Sequence, residues 1–550
     1  MRKRAIGSWS VSRGSLLGCV GLWSGLLLGS CTSSEPVEMT KPVEEMPPKL
    51  TWKWDKSLPA TASLSWASSS RGLTTLRGII HLHSVYSHDA CDGNPQPGGK
   101  PNAPCLANLR RSLCQTRQDF AMLTDHATHM GEAPFEQLLL ADAQAGDELV
   151  TVTGEPVKAG SEAVGNRLHC DAKVADGQRV LLTAGGENDL MPVGLHHHLG
   201  NTETERKRAM SDGSPAAIAA FHAAGGAVLQ AHGESRSLAD LTALAAAGLD
   251  GMEVYNLHAN IDPRIRSTHL GLDGLGAVAG LAPWFGGTPV SEGGPEPDLS
   301  VLGFLLPNQN QLGKFDALLG AGYRLLPMFG SDIHENSFKT LLADGERGDS
   351  YRRLMRWFTN HLLVRGSGPW TPAQLMDAVK SGRGYGVFEV FGSSAGFDFF
   401  AEVKAGAGSP ASTAEMGEEV PLGATLKLRI PNPLPVGEVV DKRALPVMTA
   451  VVLRVAPGES SAKVVKQQQL TASELAAPGG ALLSIPTGDT ASTGPGAYRV
   501  ELRITPRYLL HLLGEEFKQY EREYPYLYSG VIYVRASAPQ LRFDARARQK

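Results

Sequence analysis

The chain has 550 residues, 42% of them apolar and 20% charged, with a formal net charge of -4. That is the make-up of an ordinary globular protein, long enough for more than one folded unit because a single core rarely grows past roughly 250 to 300 residues. The near balance of charge gives no nucleic-acid footprint and excludes polyanion binding as the main role.

The basic start Arg2, Lys3 and Arg4 precedes an apolar stretch that runs from after Arg13 to Leu28. The stretch is short for a ~20-residue span and rich in Gly and Ser, so it reads as a signal peptide rather than a transmembrane helix. Its end, Leu28-Gly29-Ser30-Cys31, resembles the bacterial lipobox. The resemblance implies that residues 1–31 form a lipoprotein signal and that lipidated Cys31 anchors an exported protein to the cell envelope, at the outer membrane or the periplasmic face. Leu16-Leu17-Gly18-Cys19 is a weaker site, because Arg13 leaves it almost no apolar core. From Thr32 to about Leu50 the chain is rich in Pro, Ser, Thr and Glu, and residues 32–72 are expected to form a flexible tether and lead-in. Cys91, Cys105, Cys114 and Cys170 are an even set suited to disulfides in an oxidising compartment, with Cys91–Cys105 the first pairing expected across a Gly/Pro/Asn-rich loop.

From about Leu76 to Val390 short apolar runs alternate with helical patterns, the rhythm of β/α units. Ser214 and Pro215 open one helix, and Gly225-Gly226 close it before the strand-like Ala227-Val228-Leu229-Gln230. A helix from Leu238 to Ala247 leads into Met252-Glu253-Val254-Tyr255, and another starts at Thr371-Pro372. After about Gly392 alternating strands separated by Gly/Pro/Ser-rich turns predict a β-sandwich, with a helical insertion near Leu509 to Glu523. The expected organisation is a domain over 73–392 and a second over 393–550.

The residues that carry chemistry follow the strands. In Gly78-Ile79-Ile80-His81-Leu82-His83 a regular strand points His81 and His83 to one face and Ile80 and Leu82 to the other. Paired imidazoles with a nearby carboxylate suit a borderline divalent ion. Phe120-Ala121-Met122-Leu123 runs into Asp125-His126, Val228-Leu229-Gln230 into His232, and Leu325 to Phe329 into Asp332 and His334. Parallel strands of a barrel share one carboxyl rim, so these groups are expected to meet there. Glu253 and Asp125 are expected to support the ligands, the latter by orienting an imidazole. His222 reads as a packing or surface residue, while His258 and His269 either line a pocket or lie in exposed loops. The Gly-rich piece Trp284 to Gly294 reads as a surface excursion or lid.

Over residues 76 to 390 the chain resembles the PHP (polymerase and histidinol phosphatase) superfamily. The resemblance implies a distorted seven-stranded β/α barrel, TIM-like, and up to three divalent metal ions, of zinc, manganese or iron. His81 and His83 match the opening H-x-H, His126 the T-D-H motif, Glu187 in Gly185-Gly186-Glu187 the bridging carboxylate, His232 the histidine after the G-G run, and Asp332 with His334 the closing S-D-x-H. The third ligand of the opening motif is Asp89 or His88, with Asp89 preferred. The histidine expected after Glu187 is one of His196, His197 and His198, with His196 preferred over His198. Gly382-Arg383-Gly384-Tyr385, Met416-Gly417-Glu418 and Pro495 to Val500 look like the β-sandwich of carbaryl-hydrolase-type PHP proteins, a branch that includes hydrolases of carbamate esters.

The resemblance therefore implies a metal-dependent hydrolase of a small-molecule substrate that works by metal-activated water, with Glu187, His232 and Asp332 in the catalytic roles. One ion is assigned to His81, His83, Glu187 and Asp332, a second to Glu187 and His232, with Asp89, His126 and His334 completing the cluster. A phosphoesterase is the preferred reading and a carbamate, ester or amide hydrolase the alternative. A non-catalytic surface-binding protein on the same scaffold is the reading from a different class.

Overall fold

The computed structural model describes residues 53–536 except 176, 367, 406–410, 435–441, 478–479, 489, 491 and 515–516. The signal segment, Cys31 and most of the tether lie outside the described residues. The rest forms one compact, mixed α/β unit.

The apolar runs become strands: β1 (Leu73–Leu82), β2 (Phe120–Leu123), β3 (Glu148–Val150), β4 (Gly165–His169), β5 (Arg179–Ala184), β6 (Met191–Val193), β7 (Ala227–Gln230), β8 (Gly251–Asn256), β9 (Leu326–Gly330), β10 (Thr359–Arg365) and β11 (Gly384–Val387). β1, β2 and β5 run parallel; β4 and β3 continue that sheet beyond β5, and β10 lies antiparallel on the other edge of β1. A second sheet has the order β6-β7-β8-β9, in which β7, β8 and β9 are parallel and β6 is antiparallel to β7. The two sheets touch at isolated bridges between Leu82 and Ile333 and between Ala184 and Leu195.

Strand alternation sends one set of side chains into a buried apolar cluster shared by the two sheets, including Ile80, Phe120, Met122, Leu181, Met191, Val193, Leu229 and Met328. Phe120 sits opposite Gly78 in register, and a Cβ at Gly78 would come within 2.5 Å of its ring, so the close approach of β1 and β2 requires glycine there. Three helix-then-strand steps are as the sequence reads, with Pro215–Ala223 before β7, Leu238–Ala246 before β8 and Pro372–Lys380 before β11; a further helix, Gln309–Gly320, precedes β9. Each buries an apolar stripe, such as Ile218 with Phe221 and Leu241 with Leu244, in a second and larger core.

The remaining strands are β12 (Asp398–Val403), β13 (Ser412–Glu415), β14 (Glu419–Pro421), β15 (Thr425–Ile430), β16 (Val447–Val455), β17 (Lys463–Leu470), β18 (Ala481–Pro486), β19 (Gly496–Thr505), β20 (Tyr524–Ser529) and β21 (Ile532–Arg535). β13-β12-β15-β18 is a sheet of its own, but β20 pairs with β11 and carries the first sheet on into β19, β16 and β21. Hydrogen bonding thus crosses the expected boundary at 392/393 without a break. The expected helical insertion reduces to two short pieces, Arg507–Leu512 and Phe517–Tyr520.

The lead-in from residue 53 is folded rather than a flexible extension of the tether. Leu58 and Leu64 are buried, Trp54 Nε1 donates to Asp298 at 2.7 Å, and Arg71 pairs with both Asp398 and Glu415. Trp284 is also buried and donates to the Glu296 carbonyl at 2.8 Å, which ties the start of the expected surface excursion to the core. Among the described residues no helix is long and apolar enough to cross a membrane.

Candidate metal centre

Every candidate ligand that the structure gathers leaves the carboxyl end of a strand, or lies in the loop that follows it. Parallel pairing puts the ends of β1, β2 and β5 on one side, and those of β7, β8 and β9 likewise. Isolated parallel bridges, His126 with Glu187 and Leu82 with Ile333, hold the loops beyond those ends together. Gly185 lets the loop that carries Glu187 in close, since a Cβ there would lie 2.1 Å from the Pro192 carbonyl oxygen.

The backbone is bent to do this. His81, His232 and Asp332 have φ of 71°, 49° and 50°, left-handed values that cost a non-glycine residue about 1–3 kcal/mol each. At His81 the bend breaks the regular alternation: the β1/β2 register shifts between Ile80 and Leu82, and these two residues face different cores. The expected picture of His81 and His83 on one face with Ile80 and Leu82 on the other therefore fails in detail. The two imidazoles still converge, with ring centroids 5.3 Å apart, because the bulge turns His81 toward its partner.

Asp332 stands at the centre of the cluster. Its Oδ1 is 3.3 Å from His81 Nε2, 3.3 Å from His83 Nε2 and 3.3 Å from His334 Nδ1; its Oδ2 is 3.4 Å from His232 Nε2. Glu187 spans the site, with Oε1 3.3 Å from His232 Nε2 and Oε2 2.9 Å from His126 Nδ1. Asp89 reaches in from the loop after β1, 3.4 Å from His334 Nε2 and 3.6 Å from His126 Nε2. His88 is exposed, and its ring lies 5.1 Å from that of His126. Donor atoms fall within 4.8 Å of one another in four sets: His83, His126 and His334; His81, His232 and Asp332; His81, His83 and Glu187; and His88, Asp89 and His126.

Outer groups fix the rings. Glu253 Oε1 meets His81 Nδ1 at 2.6 Å while its Oε2 accepts from the His232 amide at 2.9 Å, so one carboxylate holds two ligands. Ser87 Oγ lies 3.1 Å from His83 Nδ1 and donates to Asp89. With both Nδ1 atoms engaged, the Nε2 atoms of His81 and His83 turn into the site, the arrangement that supporting groups impose on metal-bound histidines. Asp125, expected to orient an imidazole, instead accepts from the Ser84 amide and hydroxyl, and so holds the loop rather than a ring.

The ligand expected from the segment after Glu187 is not part of the cluster. β6 runs antiparallel to β7, so the segment after β6 falls at the amino end of β7, opposite the end that carries His232. His196 donates its amide to the Ala224 carbonyl there and packs its ring over Gly225. His198 bonds the Ala133 carbonyl at 2.8 Å and stands edge-on to Phe135, while the His197 ring turns back to the His198 carbonyl. In their stead the structure brings in His258, at the start of the short helix after β8, with Nδ1 2.9 Å from Asp332 Oδ2. Its signal in the sequence is the one shared by the other ligands: a histidine just past an apolar strand. His222 bonds Asp250 at 2.7 Å, a structural role.

The electrostatics divide the imidazoles. Burial, with the neighbouring His334 and His126, pushes His83 down to about 3, so it is a neutral donor with a free lone pair. Burial opposes charge on His126 and His232 as well, but carboxylates overcome it: Asp89 and Glu187 lift His126 to about 11, and Asp332 lifts His232 to about 9. Burial works against the Asp332 carboxylate too, and His81, His334 and His232 hold it well below its usual range; Glu187 is held at about 2 by His126, His81 and His232 against the same opposition.

No protein-family model matches the chain, and no curated protein matches it. Among solved structures the chain is similar to a two-domain protein of Bacteroides vulgatus containing a predicted PHP-like metal-dependent phosphoesterase, at 13% identity over 88% of this chain and 98% of that one, with a TM-score of 0.31. A likeness that loose transfers neither fold nor chemistry, which rest on this chain's own residues.

Those residues fit a cation. The Nε2 atoms of His81, His83 and His334 are buried and make no hydrogen bond, although the first two lie 3.3 Å from Asp332 and the third 3.4 Å from Asp89. A buried nitrogen left in that state costs about 1–3 kcal/mol, and a positive ion beside it would relieve that cost. The donor set, imidazole with carboxylate, suits zinc, manganese or iron.

Proposed function

We propose that the protein is a metal-dependent hydrolase and that phosphoesters are its substrates. The observation that carries the reading is the set of three buried imidazole nitrogens that make no hydrogen bond beside Asp332 and Asp89, on a rim built from strained backbone. Structural elements alone do not require that strain, and strain of this kind concentrates at functional sites. The ring order β1, β2, β5, β6, β7, β8, β9, bridged at Leu82–Ile333 and Ala184–Leu195, supports a distorted seven-stranded barrel with the site at its carboxyl rim. The strands beyond 392 support an appended β-sandwich.

A bound divalent cation supplies a nucleophile at neutral pH by lowering the pKa of its water to about 7, and it polarises the substrate oxygen. The chain's own part is to hold and orient. His81, His83, Glu187 and Asp332 are placed to hold one ion; Asp89, His126 and His334 border a second position, and His232 with Glu187 a third. Glu187, with one oxygen toward His232 and the other toward His126, ties the positions together. Asp332, whose Oδ2 lies 3.4 Å from His232 Nε2, would be the group placed to receive the nucleophile's proton and pass it to the leaving group, while His232 would keep its Nε2 lone pair for the ion.

A second reading, hydrolysis of an uncharged carbamate, ester or amide, is favoured by one feature: the carboxylates of Asp89, Glu187 and Asp332 are partnered by imidazoles, and no guanidinium to grip a phosphate is among those partners. Assay of metal-loaded protein on aryl phosphates and aryl carbamates separates the two. Phosphate cleavage that needs the cation and disappears in a His81→Ala, His83→Ala double variant is expected. Carbamate cleavage alone would replace it with the second reading, and activity on neither class would overturn both.

The two disulfides, Cys91–Cys105 and Cys114–Cys170, support an oxidising compartment, and with it the proposal of an exported lipoprotein anchored through Cys31.

A further inference from the structure

We infer that His258 is a cation ligand on the open side of His232, taking the place that the resemblance gave to His196. The inference rests on the metal-dependent reading above and deepens it.

β8 lies between β7 and β9 and runs parallel to both, so its carboxyl end opens on the same rim as those that carry His232 and Asp332. His258 is the second residue beyond that end. Its turn is fixed from below: Asn256 caps the short helix by accepting from the Ala259 amide at 3.0 Å, and its side-chain amide donates to Glu253 Oε2 at 2.6 Å. The same Glu253 holds the His81 ring and the His232 backbone, so three imidazoles take their positions from one buried carboxylate.

Donors bonded at about 2.0–2.1 Å to a tetrahedral ion stand about 3.3 Å apart. His232 Nε2 lies 3.3 Å from Glu187 Oε1 and 3.4 Å from Asp332 Oδ2, the spacing of adjacent corners of such a shell. His258 Nδ1 stands 2.9 Å from Asp332 Oδ2, with its ring edge-on to that of His232 at 5.4 Å, and supplies the donor that the set lacks. Its side chain is 49% exposed, so it stands on the solvent side of the cluster. His196 has no route to this place from the other end of β7.

The test counts ions. Metal-stripped protein is loaded with Co(II), freed of excess, and analysed for bound cobalt and for the visible Co(II) spectrum, for the wild type, His258→Ala, His258→Asp and His196→Ala, with thermal melting of each to confirm folding. The expected result is the loss of one equivalent and of one component of the spectrum in His258→Ala, its recovery in His258→Asp, and an unchanged count in His196→Ala. A His258→Ala protein with the full count and an unchanged spectrum would overturn the inference, reducing His258 to a hydrogen-bond partner of Asp332, as would loss of an equivalent in His196→Ala. A wild type that binds no cobalt would overturn the metal-dependent reading itself.

Discussion

Glu253 and His81 meet through Oε1 and Nδ1 at 2.6 Å, both side chains buried, and the second oxygen of the same carboxylate takes the His232 amide at 2.9 Å. Glu253 touches no reacting atom in this arrangement; it is a positioning residue for two ligands. Replacing such a group typically costs about 10- to 100-fold in metal affinity. Glu253→Gln keeps the size but loses one anionic acceptor, and chelator competition should show a loss in that range with kcat falling more than KM changes. Unaltered affinity would mean that the His81 ring is held by its packing alone.

The two disulfides are expected to do different work. The Cys91 amide donates to the His334 carbonyl and the Asp92 amide to the Glu335 carbonyl, both at 2.9 Å, while Tyr351, whose hydroxyl lies 3.9 Å from Cys105 Sγ, donates to the His83 carbonyl at 3.0 Å. Cys91–Cys105 therefore braces the Asp89 and His334 side of the cluster. A Cys91→Ser, Cys105→Ser protein should bind metal more weakly. Cys114–Cys170 closes a loop of sequence separation 56 rather than 14, which by chain entropy makes it the more stabilising of the pair by about 1 kcal/mol. Its removal should lower the melting temperature further and leave metal affinity unchanged. Chelator titration and thermal melting of the two double variants give the comparison.

Cation binding should release protons at neutral pH. His126, held near 11, and His232, held near 9, carry protons in the cation-free chain at pH 7, and ligation requires the neutral ring. Affinity should then weaken as pH falls. Calorimetry in buffers of different ionisation enthalpy measures the protons directly, and binding without release would contradict the protonation pattern of the site.

Stability toward acid should depend on a buried pair away from the site. Burial opposes the Glu389 carboxylate, but Arg77 and His361 hold it at about 2, below its ordinary 4.5. The folded state therefore favours the ionised form, and the stabilisation is present above about 4.5 and lost as pH falls from there through about 2. Melting temperature recorded across that window should fall, and Glu389→Gln should flatten the slope while lowering stability at neutral pH by leaving Arg77 buried without its partner.

Much of this was legible in the sequence because the ligands sit where local patterns end. His126, His232 and Asp332 follow apolar runs short enough to be strands, and periodicity with Gly and Pro punctuation marks the helices between them. The rest depends on partners distant in the chain. The bulge at His81 has no glycine to announce it, so regular alternation gave the wrong face for Leu82. β6 is three residues long, and nothing local states that it runs antiparallel to β7; that direction alone removes His196 from the cluster. The pairing of β11 with β20 joins residues some 140 positions apart, out of reach of any local pattern. Leu58 and Leu64 lie in a polar-looking lead-in and are buried, with Trp54 half-buried beside them, by contacts formed only in the folded unit.

The most direct measurement of the central claim is anomalous scattering from a crystal of the metal-loaded protein, recorded at the absorption edge of the bound element. Peaks in bonding distance of His83 Nε2, Glu187 and Asp332 are the predicted result, and they should vanish in the His81→Ala, His83→Ala protein. A fully loaded crystal with no peak among these side chains would contradict the account.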